Sequence, residues 1–588
     1  MKYAELVTLY EELDSTSKRL EKTNFISIFL KKVPDELLDE FLLLVQGKIF
    51  PDYMDKKIGI SSRLAIKAIS KTTGNSENEI EGEWKKLGDL GDVSKNLLSK
   101  IKQASLFPKE LDLQEVFNNL RKLSTQSGMG SVDTKLSIVS EMLINAKSNE
   151  SKYLIRTIVD NMRVGVGKGS IRDAIIWSIF SEELKLSYNS ENNDINLDED
   201  SRQKYKLYVD KVQMALDLTN DFSKVAKLLR TEGIKGLETL KLVVGRPINV
   251  MLYQKAKDVA DAFDIVGRPA AFEYKYDGFR VNIHKNNDEI KIFTRRLENV
   301  TEQFPDIVEF VKNHITAKEV IMEGEAVGYD PDTKKYVPFQ KISQRIRRKY
   351  DIVEISKKFP VEVNLFDIIY HEGNNLISTE YKERRRLLES SIISEKFKMV
   401  LAKQIITDND TIAQKFYDES LKSGEEGVMV KKLDSKYKPG ARVGYGVKLK
   451  SIMEPLDLVI VGAEYGEGKR SGALSSFILA CMDQGDFLEI GRVSTGLKEL
   501  DGEGTTFKEL TNLLKPNIIK TDGKNVVIRP SIVIEVGYEE IQKSINYGSG
   551  YALRFPRFIR LRNDEKTADD VNSIDDVEYL YQKQRGRG

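Results

Sequence analysis

The sequence predicts a multi-domain chain with an all-α segment over residues 1–240, an α+β segment over 246–452 and an all-β, OB-type barrel over 453–588. Three observations carry this division. With 588 residues the chain is too long for one ordinary core, and roughly three to five domains are expected. The helical spacing of apolar residues gives way to short β-rich runs near VVGRPINVML. Beyond MEPLDLVIVGAEYG the runs are almost all strand-like, with one helical stretch among them.

In the first segment Tyr3, Leu6, Val7, Tyr10 and Leu13 fall on one face of a helix. Similar stripes recur in EVFNNLRKL, KLSIVSEML, KYLIRTIVDNM and DFSKVAKLLR, separated by Gly, Ser and Asn clusters. They follow no fixed period, so a solenoid is not expected. NSENNDINLDEDS at 189–201 lacks apolar periodicity and reads as a solvated loop. In the second segment AAFEYKYD, FRVNIHK, EIKIFTR, EVIMEGEAVGY, VEVNLFDIIY, EGVMVKKL and YGVKLK read as strands, with helices such as TEYKERRRLLES between them. That mixture predicts antiparallel sheets in an α+β domain. The third segment offers VIVGAEY, SFILACM, FLEIGRVS, VVIRPSIVIEVGYEEI and ALRFPRFIRLR around the helix-like TFKELTNLLK. About five strands and one helix suit a small barrel. The terminal QKQRGRG is expected to fray.

Composition bounds the chemistry. Hydrophobic residues at 40% exclude a disordered chain. Lys+Arg at 92 against Asp+Glu at 91 leave a net charge of +1, so any nucleic-acid surface is a local patch. The lone Cys481 excludes an intramolecular disulfide framework and a four-cysteine zinc module. His284, His314 and His371 lie far apart with no metal-ligand spacing, so a metal would be a hard ion on carboxylates and phosphates. The acidic, amphipathic N-terminus is unlike a signal peptide, and FLLLV at 41–45 is too short to span a membrane. A soluble intracellular protein is expected.

Ordinary nucleotide signatures are missing. GVGKGS at 165–170 fails as a P-loop because Gly169 takes the Ser/Thr position, and no G-x-G-x-x-G joins a strand to a helix. EYKYDGFR at 273–280 points elsewhere. A lysine nucleophile must lose its proton, which burial and nearby cations favour. Tyr274 and Tyr276 offer the burial, and Lys448 and Lys450 of VKLK the cations. Asp277-Gly278 turns the chain so that Arg280 comes back towards the same pocket. Taken alone, the octapeptide is equally a half-buried strand ending in a turn.

K-Y-D-G-F-R matches the K-x-D-G-x-R signature of the covalent nucleotidyltransferases: DNA ligases, RNA ligases and mRNA capping enzymes. The further motifs of that family follow in order. The resemblance implies Lys275 as the residue that takes the nucleotide and Glu273 as the reader of adenine. TRRLENVT puts Arg295 on the nucleotide, MEGEA puts Glu325 near ribose and metal, and LFDIIY makes Phe366 the platform for the purine. EGVMVK gives Glu426 as a metal ligand, and ARVGYGVKLK directs Arg442, Lys448 and Lys450 at phosphates, with Arg280 beside them. Guanidinium forks and an aromatic stacking face are the right chemistry for these roles. Read singly, Phe366 fits a core position, Glu325 a strand edge, and Lys448 and Lys450 a solvated face.

ALRFPRFIRLR resembles the terminal motif of ATP-dependent DNA ligases, implying Arg554 and Arg557 at the pyrophosphate. The R-x-D-K that usually follows has one residue too many here, so either Lys566 still reaches the pyrophosphate in a shifted register or Arg554 and Arg557 serve alone. The helical segment is similar to the DNA-binding domain of archaeal and eukaryotic replicative ligases. In IVDNMRVGVGKGSIRDAI the resemblance implies DNA contacts from Arg163 and Lys168 around Gly165, Gly167 and Gly169; a plain helix-to-helix turn is the other reading. KISQRIRRKY offers Arg345, Arg347 and Arg348 as further phosphate contacts, or else a solvated loop. QASLF resembles the motif by which archaeal ligases engage the sliding clamp, PCNA, through Gln103, Leu106 and Phe107. Leu106 stands where an aromatic is usual, and a buried helix end is the alternative.

The resemblance thus implies an archaeal-type ATP-dependent DNA ligase that works in replication, repair and recombination. It would be a monomer in the cytoplasm, associated with the nucleoid and not a membrane. ATP would form a lysyl-AMP, with magnesium or alternatively manganese, and the adenylate would pass to nicked duplex DNA. Three rivals stay open on the residues. A capping guanylyltransferase would use GTP and lacks such a helical domain, an NAD-dependent ligase needs more cysteines, and an inactive DNA scaffold would not keep every pocket charge.

Overall fold

Each predicted stripe in the first 240 residues forms a helix, because its apolar side chains can all be buried along one face. Tyr3–Ser15, Leu113–Thr125, Ser131–Asn145, Ser148–Ile158 and Phe222–Gly236 are the resulting helices in the computed structural model. The structure describes the chain except residues 52, 53, 55, 57, 101–108, 127, 129, 347, 349, 441, 452, 467–469, 471, 500, 501, 503 and 585–588, and the side chain of Lys85. Two compact units result. One comprises Met1–Gln254, Gly278–Ala402 and Lys432–Tyr445; the other comprises Lys255–Asp277, Lys403–Lys431 and Gly446–Gly588.

In the first unit the helices close on a core that includes Tyr10, Phe41, Phe117, Tyr153 and Trp177. Asp112 and Asp221 cap their helices by accepting N–H groups that the first turn leaves unpaired. Arg156 is buried between Asp89 and Asp14, at 3.1 and 3.2 Å. One expectation is corrected here. The stretch at 189–201 is not all loop: Ser187–Asn189 and Asp194–Asn196 pair as a hairpin, and Glu199 opens the next helix. Tyr188 and Ile195 face each other across it and pack on the helical core, a two-residue apolar signal too short to show as a period.

The same unit holds a six-stranded sheet in the order Met399–Leu401, Val361–His371, Glu319–Gly328, Phe279–Asn286, Glu289–Thr294, with Asn374–Asn375 beside Val361–His371. Met399–Leu401 pairs in parallel; the other pairings are antiparallel. Helices Pro305–His314 and Tyr381–Ser390 cover it through Ile307, Val311 and Leu388. The buried Arg384 ties the second helix to the sheet through both oxygens of Asp367, at 2.7 and 3.0 Å.

In the second unit strands Gln404–Thr407, Ala270–Lys275, Gly427–Lys432 and Arg442–Lys450 lie in that hydrogen-bonded order. The barrel follows, centred on Leu456–Tyr465, which pairs with Leu474–Asp483, Asn525–Ile528 and Val533–Gly537. Helix Phe507–Leu514, held by a Thr506/Glu509 capping box, fills its interior with Phe507, Leu510 and Leu514. Nine strands stand among the described residues where five were expected. VVIRPSIVIEVGYEEI alone contributes to three, and Pro530, with no N–H to give a ladder, lies in the gap between the first two. Of the terminal QKQRGRG, residues 585–588 lie outside the described residues. Ile574–Lys583 is a helix that buries Val577, and the Gln584 amide exchanges hydrogen bonds with the backbone of Ile541.

Candidate active site

The second unit gathers one set of polar side chains on the face of its sheet. Ala270–Lys275 is buried along its length until Lys275, which is half-buried. Tyr274 packs on Phe416 with ring centroids 4.9 Å apart, and the Tyr276 hydroxyl accepts from the Lys403 N–H at 3.0 Å. Side chains alternate along a strand, so Glu273 and Lys275 share one face. The Glu426 N–H donates to the Lys275 carbonyl at 2.9 Å, which brings its carboxylate onto that face.

Glu426 Oε2 lies 2.5 Å from Lys275 Nζ and 2.8 Å from Lys450 Nζ. Burial disfavours its charge, yet the two ammonium groups hold the carboxyl well below the usual range. For Lys450 burial again opposes the charge, and Glu426 with Glu539 more than offsets it. Glu539 comes from the barrel and reaches Lys450 at 3.0 Å. Arg554 bonds Glu540 at 3.1 Å and stands 3.9 Å from Asp277. The turn itself is fixed by Glu425, which accepts the Asp277 N–H at 3.0 Å. Lys448 lies opposite Met429, on the same face as Lys450. Glu273 is buried between Lys431 Nζ at 2.6 Å and the Gln404 amide at 2.9 Å. Two members of the terminal motif lie apart from this set. Arg557 is exposed, and Lys566 pairs with Asp457 at 2.7 Å.

The first unit gathers a second set. A Cβ on Gly278 would meet the Ala326 carbonyl at 2.4 Å, so only glycine lets the chain run this close to Glu319–Gly328. Arg280 then lies opposite Glu325 in the ladder. Its guanidinium bonds Glu323 at 2.6 Å and the Met251 carbonyl at 3.3 Å, and lies 5.2 Å from the centroid of Phe366. Burial opposes its charge, but Glu323 keeps it firmly cationic. Tyr437 donates to the same carboxylate at 2.9 Å. Phe366 is half-buried between the core residues Leu365 and Ile368, and Glu325 is half-buried too. Arg295 and Arg442 are exposed at strand ends.

The structure keeps the other predicted residues elsewhere. The glycine-rich turn does lead into a helix, Lys168–Phe180, capped by Gly167, with Lys168 exposed. Arg163 is held by the Gly88 carbonyl at 2.9 Å and by Asp89 at 3.3 Å. Arg345 is a correction: it is 1% exposed, forked onto Asp306 at 2.6 and 2.8 Å, and so ties the fold together instead of facing phosphates. Arg348 pairs with Asp351 at 3.6 Å. Arg347, Gln103, Leu106 and Phe107 lie outside the described residues. His284 accepts the Gly245 N–H on Nδ1, and burial first, then Lys291, pushes it down to about 3, so it is a neutral core residue. Among the described residues no cluster of three or more His, Cys, Asp or Glu is arranged for a metal, and no helix is long and apolar enough to cross a membrane.

Sequence reasoning missed Glu323, Gln404, Lys431, Tyr437, Glu539 and Glu540. Glu323 had a signal, since it stands two residues before Glu325 on the same strand. Glu539 and Glu540 had none, because only the barrel's folding brings them to Lys450 and Arg554.

Comparison with known proteins agrees along the whole chain. Family models match residues 2–176 as "DNA ligase N terminus", 250–450 as "ATP dependent DNA ligase domain" and 470–565 as "ATP dependent DNA ligase C terminal region". The DNA ligase of Nanoarchaeum equitans is 44% identical over 100% of this chain and 99% of its own. That of Thermococcus fumicolans is 41% identical over 99% and 98%. The solved structure Pmar-Lig_Pre covers 95% of this chain and 98% of its own at TM-score 0.56 and 15% identity, which shows a shared fold. The K-x-D-G-x-R lysine, the ordered motifs behind it and these matches place the chain in the ATP-dependent DNA ligases of archaeal and eukaryotic type, which seal nicks by covalent nucleotidyl transfer.

Proposed function

We propose that Lys275 is the residue through which this DNA ligase carries its adenylate. The observation that carries the reading is the Lys275–Glu426–Lys450 cluster, a half-buried amine fixed beside a second cation on a sheet face. The amine nitrogen attacks the α-phosphorus of ATP. The N–P bond forms, the bond to the bridging oxygen breaks and pyrophosphate leaves, with Glu426 in hydrogen-bond reach of the departing proton. A 5′-phosphate oxygen of the nick then takes the adenylate and frees the lysine. The 3′-hydroxyl finally attacks that phosphate, joins the strand and expels AMP.

The other roles follow from charge and shape. Glu273 accepts from the adenine amine and Phe366 stacks on the ring. Glu325 lies near the ribose and Arg295 on the nucleotide, while Arg280, Arg442, Lys448, Lys450, Arg554, Arg557 and Lys566 serve phosphates. Magnesium, with manganese as the alternative, suits the carboxylates Glu426 and Glu325. Glu426 is held anionic by two lysines and Glu325 is half-exposed, so both are hard oxygen donors. When bound, the ion would screen the negative charge of the phosphates.

We also propose three domains at 1–240, 246–452 and 453–588, a monomer in the cytoplasm, and DNA contacts through Arg163, Lys168 and Arg348. Clamp engagement through QASLF belongs to the same reading. Intact-protein mass after incubation with ATP and Mg2+ tests its centre. The expected result is one adenylate on the wild type, none on Lys275→Ala, and discharge by nicked DNA. Guanylate from GTP alone would replace this reading with capping chemistry, and no adduct under any divalent metal would remove Lys275 from its role.

A further inference from the structure

Lys431, Glu273 and Gln404 form a triad on the sheet whose Lys431 and Gln404 the proposed transfer does not use. Glu273 sits on the central strand of three, with Gln404 directly opposite it on one neighbour and Lys431 reaching it from the other. Lys431 Nζ makes an ion pair with Oε2 at 2.6 Å and Gln404 Nε2 donates to Oε1 at 2.9 Å, so each carboxylate oxygen is engaged. Glu273 and Lys431 are 2% and 4% exposed in their side chains. Lys275 lies two residues further along the same strand face, roughly 7 Å away. That is the distance at which a nucleotide whose α-phosphate meets Lys275 would present its sugar or base.

We propose that Lys431, with Gln404, sets the purine selectivity of this ligase by holding Glu273 as a fixed hydrogen-bond acceptor. The proposal rests on Glu273 being the residue that meets the base. Adenine offers a donor at its exocyclic amine, which a carboxylate accepts; guanine puts a carbonyl oxygen at the same place, which a carboxylate repels. A carboxylate can discriminate in this way only while it cannot turn. Lys431 fixes the direction of one oxygen and Gln404 that of the other. Both are positioning residues, acting through Glu273.

The experiment is the rate of covalent adduct formation, by intact mass, with ATP, GTP and purine riboside triphosphate, which lacks the amine. Wild type, Lys431→Met, Lys431→Arg, Glu273→Gln and Gln404→Leu are compared, each with its unfolding midpoint. The expected result is that Lys431→Met lowers the ATP:GTP rate ratio by about tenfold or more, the scale of one hydrogen bond to a charged group. The same variant should narrow the gap between ATP and purine riboside triphosphate. Lys431→Arg should restore both ratios, and Gln404→Leu should lower them less. If Lys431→Met changes stability but leaves the ratios alone while Glu273→Gln alters them, Lys431 is a structural tie and the proposal falls. If Glu273→Gln also leaves them alone, Glu273 does not meet the base, and that reading fails separately from the role of Lys275. Should Lys431→Met not fold, the half-buried Gln404→Leu decides: unchanged ratios overturn the proposal.

Discussion

Lys275 and Asp217 show how differently two residues can depend on their surroundings. Lys275 announces itself in EYKYDGFR, because its neighbours in sequence are also neighbours in space. Asp217 looks like any helical acid, yet it is buried with its Oδ1 accepting from Gln213 at 3.0 Å and Asn249 at 3.4 Å. Burial pushes its carboxyl up to about 6, against the lesser pull of those amides and of Lys168 and Arg172. The unfolded chain ionises this group near pH 4 while the folded one keeps the proton to about 6. Folding therefore binds a proton in that window, and stability falls as pH rises from about 4 to about 6. Asp217→Asn should abolish that fall and gain on the order of 3 kcal/mol relative to wild type above pH 6, read by urea unfolding across pH. Equal slopes in the two proteins would show that Asp217 titrates normally.

At the scale of elements, strand Gly427–Lys432 follows directly on Glu426 and carries Lys431, so one element positions a member of each charged pair. Gly427 has φ +135°, and a Cβ there would stand 2.1 Å from the Leu449 carbonyl. The glycine lets Glu426 turn onto the sheet face while its own backbone stays paired with Lys450. Gly427→Ala should cost on the order of 3 kcal/mol in strain. Pushing the two strands apart should also slow lysyl-adenylate formation by about 100-fold, the usual effect of moving a reacting group by an ångström. A calorimetric scan and the intact-mass time course measure the two effects; an unchanged adenylation rate would mean that Glu426 keeps its place without the glycine. The hairpin at Ser187–Asn189 gives the reverse lesson about legibility. Its apolar content is two residues, below what any periodicity can register, although the helical core makes it worth forming.

For the whole molecule, 92 basic against 91 acidic residues leave no long-range attraction to DNA. Nick binding must then come from local contacts to phosphates, each releasing counterions. The logarithm of the binding constant should fall linearly with the logarithm of salt, and Lys168→Gln should make the slope shallower by about one. Titration of a labelled nicked duplex at several salt concentrations measures this. An identical slope for the variant would remove Lys168 from the DNA surface. Arg345 shows why such surfaces are hard to read from sequence: it belongs to a run of five basic residues, and the fold buries it on Asp306.

By itself the sequence determined the three-part fold class, the positions of several helices, the lysine proposed as nucleophile and the order of the nucleotide motifs. These are properties of short stretches: a period of apolar residues, a turn, a lysine among aromatics. Only the tertiary structure decided which charges meet. Lys431 reaches Glu273 and Glu539 reaches Lys450 across gaps of more than a hundred and of nearly ninety residues, brought together by strand pairing and barrel closure. No local pattern encodes such a meeting, because a charged side chain costs little in water anywhere along the chain. Its partner matters only once folding has removed the water.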